Sequence, residues 1–108
     1  MQFVVIGKDK GQGELRLKAR AEHLGYVAAR QKHIIYAGPL IETGRMVGSL
    51  FVFDMPSREE LDAHLAGDPY FRDGIFETVE IFESRWMVPE RESGFLAAEA
   101  ERARAATA

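Results

Sequence analysis

Short apolar runs and amphipathic segments alternate along this chain in one order: strand, helix, strand, strand, helix, strand. The first run, residues 3–7, is almost continuously apolar and is ended by Gly-Lys-Asp-Lys-Gly, which predicts a strand buried on both faces and then a loop. Residues 13–32 predict a helix with Leu17, Ala21, Leu24 and Ala28 as its core stripe. The neighbouring stripe carries Arg16, Arg20, His23, Val27 and Arg30. Gly25, which costs a helix interior about 1 kcal/mol relative to alanine, is read as marking a close approach to a strand. Residues 34–40 and 46–54 predict two strands, and the short Glu42-Thr43-Gly44-Arg45 connection makes them an antiparallel hairpin. A helix over 57–66 and a last strand over 76–87 complete the pattern.

With right-handed crossovers this order gives an α+β, ferredoxin-like split β-α-β fold: a four-stranded antiparallel sheet with both helices on one face. The strands nevertheless carry apolar groups on both sides. In the third strand Val47, Ser49, Phe51 and Phe53 share one face, and Gly48, Leu50, Val52 and Asp54 the other. Two helices cover only one face, so a second subunit is expected on the other, giving a homodimer with a barrel-like core. The domain is placed at 1–88, and 89–108 is a tail whose alanine-rich helix has only Phe95 and Leu96 to anchor it and a frayed end.

Composition excludes several functions. With 46% apolar and 29% charged residues in 108, the chain is one globular domain. A net charge of −3 offers no footprint for nucleic acid or an anionic membrane. No cysteine is present, which removes disulfides and thiolate chemistry and suits a cytoplasmic setting. Neither a signal peptide nor a membrane-length apolar run is seen. No HExxH-like spacing occurs, so no metal is expected, and no cofactor motif is present. Residues 7–13, GKDKGQG, fit neither phosphate-binding spacing, and Ser49 lacks the GxSxG elbow of a hydrolase nucleophile.

Residues 57–74 are heavily punctuated. Ser57 and Glu60 are spaced as a capping box, Gly67 is read as a left-handed helix stop, and Asp68 can cap a new turn beginning at Pro69. The carboxylate pairs Glu59/Glu60, Glu80/Glu83 and Glu90/Glu92 read as solvated charge. His33, at the end of the first helix, suits the helix dipole. His64, between Leu61 and Leu65, is expected to face solvent. His23 differs, because it shares a helix stripe with Arg16 and Arg20. Tyr36 and Tyr70 read as core aromatics with a polar tip.

Arg20-x-x-His23, Ala37-Gly38-Pro39 and Asp68-Pro69-Tyr70 followed by Gly74, in that order, resemble the YciI-like (YCII-related) family over residues 3–85. The resemblance implies a dimeric α+β barrel with a pocket between helices and sheet. Enzymes sharing that barrel include muconolactone isomerases and chlorinated-hydroxyquinol dehydrochlorinases. It also implies a His–Asp active site, carried here by His23 and Asp68, with Arg20 holding an anion. Ser49 and Tyr70 join Arg20 as expected substrate-binding residues. The C-terminal helix departs from the shorter family members.

An aspartate bonded to one imidazole nitrogen fixes the tautomer and raises the basicity of the other, giving a general base near neutral pH. Proton abstraction beside a carbonyl, with Arg20 steadying the oxyanion, suits isomerisation or elimination on a small aromatic-derived acid. The alternatives are a non-catalytic dimeric module that binds a metabolite, or a monooxygenase of the same barrel superfamily. If neither applies, His23 and Asp68 are a structural tie.

Overall fold

The computed structural model describes residues 1–108. The elements run β1 (Gln2–Asp9), α1 (Glu14–Ala28), a single 3-10 turn (Gln31–His33), β2 (Ile34–Glu42), β3 (Arg45–Asp54), α2 (Arg58–Gly67), α3 (Pro69–Arg72), β4 (Phe76–Ser84) and α4 (Phe95–Thr107). The strands form one antiparallel sheet in the order β2-β3-β1-β4. This is the α+β, ferredoxin-like sheet that the element order implies.

The β2–β3 hairpin turns through Thr43 and Gly44, with φ of 50° and 78°. Positive φ at both central residues matches the twist of the flanking strands, which is why glycine stands at one of them. In the centre of the sheet Val5 lies opposite Phe51 on one side and Ile81 on the other. Phe3, Val5, Phe51, Phe53 and Met55 pack there against Leu61 and Leu65 of α2. A second cluster joins Ala19 of α1 to Tyr70, Ile75 and Phe76, with Phe71 touching both. A β-bulge at Lys8/Asp9 turns Phe76 onto the helix side. Gly7 makes that possible, because a Cβ there would come within 2.7 Å of the Phe76 ring.

β1 alternates rather than being buried on both faces: Phe3, Val5 and Gly7 are buried, while Val4 and Ile6 are only partly covered. The helices shield one face alone. On the other, Val4, Ile6, Leu50 and Val52 lie together, with Tyr36 and Phe82 more than half exposed. The tail does not cover them. Helix α4 holds no buried residue, and the radius of gyration is 17.0 Å, against about 13 Å for a compact chain of this length.

Helix α1 departs most from expectation. It ends at Ala28, and the following 3-10 turn carries a half-buried His33 into β2. Leu17 and Leu24 are 74% and 44% exposed, whereas Arg16 and His23 are 4% and 8% exposed. Exposing a leucine forgoes about 1.5–3 kcal/mol, but leaving a buried charge unpaired costs about 3–5. Asp9 and Asp68, both buried beneath the helix, therefore set its rotation. Gly25 is also not a contact point, since a Cβ there would meet nothing within 4 Å.

Candidate active site

Asp68 owes its position to two helix ends. Ser57 Oγ accepts from the Glu60 N–H at 3.2 Å and starts α2, although the reciprocal half of the capping box is not formed. Gly67 closes α2 without adopting the left-handed conformation. Its missing side chain serves packing instead, because a Cβ would come within 2.6 Å of the Tyr26 hydroxyl. The chain then turns extended at Asp68, whose Oδ1 accepts from the Tyr70 N–H at 3.0 Å, and Pro69 opens α3. Arg72 clamps α3 to α1 through a bidentate pair with Glu22 at 2.9 and 3.0 Å.

The structure brings His23 and Asp68 together. His23 Nδ1 lies 2.7 Å from Asp68 Oδ1, between a carboxylate that is wholly buried and an imidazole that is 8% exposed. An acceptor-only carboxylate at that distance places the proton on Nδ1. Nε2 makes no hydrogen bond within the chain and is left as the free lone pair. The ring stacks on Tyr70 at 3.7 Å and 5° and meets the edge of Phe51 at 6.1 Å. Both rings restrict its orientation.

Beside the pair is an arginine that sequence reasoning placed on the His23 stripe but gave no role. Arg16 donates from Nε and Nη2 to Asp9 at 2.7 and 2.9 Å, and from Nη2 to Ser49 Oγ at 2.8 Å. Its guanidinium also lies 4.8 Å from the centre of the Tyr70 ring. Burial pulls the Arg16 pKa down, but the bonds and charge of Asp9 outweigh it and hold it above the ordinary value. Burial likewise pushes the Tyr70 phenol up, against the opposing charges of Arg16 and Arg20, so it stays a neutral donor at pH 7. Arg16 was legible in principle: it stands seven residues before His23 on one helix face. Asp9, inside a polar loop signature, carried no such mark.

These groups line a cavity of about 160 Å³ between α1, β2, β3 and α3. His23, Arg16, Ser49 and Tyr70 form its polar side, and Pro39 and Phe51 contribute apolar surface. Arg20 also lines it, exposed and without an ion-pair partner, while Arg16 is already matched by Asp9. Arg20 is thus the cation of the cavity wall that has no carboxylate partner within the chain. No three His, Cys, Asp or Glu side chains converge as a metal-ligand group.

His64 lies outside this cavity and corrects the sequence reading. It is buried, 8% exposed, with its ring edge-on to Phe53 at 4.9 Å and Tyr26 at 5.3 Å. Leu61, His64 and Leu65 stand at i, i+3 and i+4, which is one helix face, so burial of the leucines carries the histidine inward.

Three solved structures share the architecture. The 5-chloro-2-hydroxyhydroquinone dehydrochlorinase TftG from Burkholderia phenoliruptrix AC1100, in complex with 2,5-dihydroxybenzoquinone, is 26% identical, with a TM-score of 0.71 over 81% of this chain and 94% of that one. Rv0793 from Mycobacterium tuberculosis is 14% identical, with a TM-score of 0.54 over 82% and 99%. The cofactor-independent oxygenase SnoaB from Streptomyces nogalater is 17% identical, with a TM-score of 0.50 over 82% and 96%. These last two likenesses concern the fold alone. No curated protein matches the chain. The family model of the YCII-related domain matches residues 1–85, a span that holds the whole sheet, α1 and the Asp68 turn, and the chain belongs to that family.

Proposed function

We propose that this protein is a small-molecule enzyme that eliminates or isomerises by acid–base chemistry on a one-ring, oxygen-substituted anion. The observation that carries the proposal is His23, bonded to Asp68 at 2.7 Å, in the wall of a cavity sized for one ring. At about 160 Å³ the cavity compares with an engineered cavity of about 150 Å³ that takes up benzene. His23 Nε2 acts as the base that removes a proton beside a carbonyl or from a ring hydroxyl. Asp68 orients the imidazole and stabilises the imidazolium that forms. Arg20 meets the anionic oxygen, and the Tyr70 phenol and Ser49 hydroxyl supply neutral hydrogen bonds, with Arg16 holding Ser49 in place. The likeness to a dehydrochlorinase carrying a dihydroxybenzoquinone supports this substrate class, and loss of hydrogen chloride from a chlorinated hydroxyquinol is the reaction to test first.

His23→Ala and Asp68→Asn should each lower kcat/KM on such a substrate by about 100- to 10,000-fold, the usual share of a general base. Both are measured below the melting temperature of each variant, because His23→Ala leaves the buried Asp68 carboxylate without its partner and lowers stability as well. Unchanged turnover in His23→Ala would remove the acid–base role. Binding of 2,5-dihydroxybenzoquinone without turnover of any chlorinated hydroxyquinol would instead favour the metabolite-binding reading.

The open sheet face supports a homodimer. Val4, Ile6, Leu50, Val52 and the exposed Tyr36 and Phe82 form a contiguous apolar surface of the kind a second copy buries. Sedimentation velocity should give twice the 12.1 kDa chain mass, and Val52→Glu should return the chain mass.

A further inference from the structure

Two buried side-chain polar atoms in the protein lack a hydrogen-bond partner: Asp68 Oδ2 and His64 Nε2. They are complementary in kind, one an acceptor and the other an imidazole nitrogen able to donate. They also stand four residues apart at the end of α2, the spacing that puts side chains on one helix face. A carboxylate buried to 0% exposure with one oxygen unserved is costly, and Oδ1 already serves both His23 and the Tyr70 N–H.

We infer that His64 is a positioning residue, joined through one water to Asp68 Oδ2, so that a single carboxylate is held between two imidazoles. Neither atom has a hydrogen-bond partner within the chain, so the two are not bonded directly, and a bridging water requires at least two polar partners of this kind. Groups around His64 fit this role. Asp68 is the anion acting on it, whereas Arg30 and His33 oppose its protonation and burial favours the neutral ring. In this arrangement the neutral ring carries its proton on Nε2, which donates to the water, and the water donates to Asp68 Oδ2. The rings of Phe53 and Tyr26 hold it in that orientation, and Tyr26 also donates to the His64 carbonyl at 2.5 Å. Carboxylate basicity is then divided among three donors, the His23 Nδ1–H, the Tyr70 N–H and the water. His23 receives a steadier but weaker partner than an isolated aspartate would offer.

The importance of the arrangement for catalysis rests on the function proposed above, but its test does not. In the ¹⁵N-labelled intact protein, proton and nitrogen NMR at neutral pH should show His64 as the Nε2–H tautomer. The His23 Nδ1 proton should appear as a separate downfield signal. In His64→Phe, which keeps an aromatic ring between Phe53 and Tyr26, that signal should move further downfield, because Oδ1 becomes the stronger acceptor once Oδ2 loses its donor. In His64→Gln, which restores a donor, it should return toward the wild-type position. An Nδ1–H tautomer at His64, or a His23 signal unmoved by His64→Phe, overturns the inference. If the phenylalanine variant does not fold, the wild-type tautomer and the glutamine variant still decide it. Loss of this coupling with turnover still dependent on His23 would leave the proposed function standing. The reverse pattern would leave the coupling and remove the function.

Discussion

The two helices on the sheet use their leucines in opposite ways. Helix α2 turns Leu61 and Leu65 onto Phe3, Val5, Phe51 and Phe53, and builds an apolar core. Helix α1 turns Leu17 and Leu24 outward and buries Arg16 and His23 over the same sheet. One half of the covered face is a hydrophobic core, and the other is a polar pocket. The difference lies in what waits beneath. Under α2 the strands offer aromatic rings, while under α1 they offer the Asp9 carboxylate and the Ser49 hydroxyl, and α3 adds Asp68. Polar groups that cannot reach water must be paired, and pairing dictates which face of α1 turns inward.

The sharpest way to break this contrast is to remove one buried partner from the polar half. Asp9→Ala leaves the Arg16 guanidinium buried without its carboxylate and should cost about 3–5 kcal/mol, measured by urea unfolding. A cost under about 1 kcal/mol, the range of an exposed pair, would mean that Arg16 reaches solvent and that the pocket half is not a second core.

The leucines offer a paired test. Leu61→Ala in the apolar half should destabilise by about 2–5 kcal/mol. Leu17→Ala, at a residue 74% exposed, should stay within about 0.5 kcal/mol. Similar costs at the two positions, read from denaturant midpoints, would place α1 in the other rotation.

The smallest effect lies where the halves meet, at His64. Burial holds its pKa below the ordinary value, with Asp68 partly offsetting that. The unfolded chain therefore binds a proton at residue 64 below about pH 6.5, and the folded chain does so only at lower pH. Above that value the group contributes no pH dependence. As pH falls from there through the folded-state midpoint, the unfolded state is favoured and stability is lost. Melting temperatures between about pH 7.5 and 5.5 should fall less in His64→Phe than in wild type, and equal slopes would show that His64 is protonated as readily folded as unfolded.

Much of the fold was legible because its signals are local. The Thr43-Gly44 turn, the Ser57 cap and the Asp68-Pro69 start each follow from the bonding capacity of a few adjacent residues. Strand periodicity, read with those stops, is enough to set the element order. The Asp68 end of the candidate site was legible for the same reason, since a carboxylate capping a proline-led turn is a local statement. His64 was misread although its spacing from Leu61 and Leu65 contained the answer. Gly67 was misread because a helix-terminal glycine serves two purposes, a left-handed turn or room for a neighbour, and only the presence of Tyr26 distinguishes them.

By itself, the sequence determined the order of elements, the hairpin, the helix caps and the presence of apolar residues on both sides of the strands. Tertiary structure decided the rotation of α1, the pairing of Arg16 with Asp9 and of His23 with Asp68, and the gathering of His23, Arg16 and Ser49 around one cavity. The physical reason is range. Caps and turns are satisfied within three or four residues, whereas a buried charge is satisfied by whichever partner the fold brings to it, and that partner leaves no periodic trace in the chain.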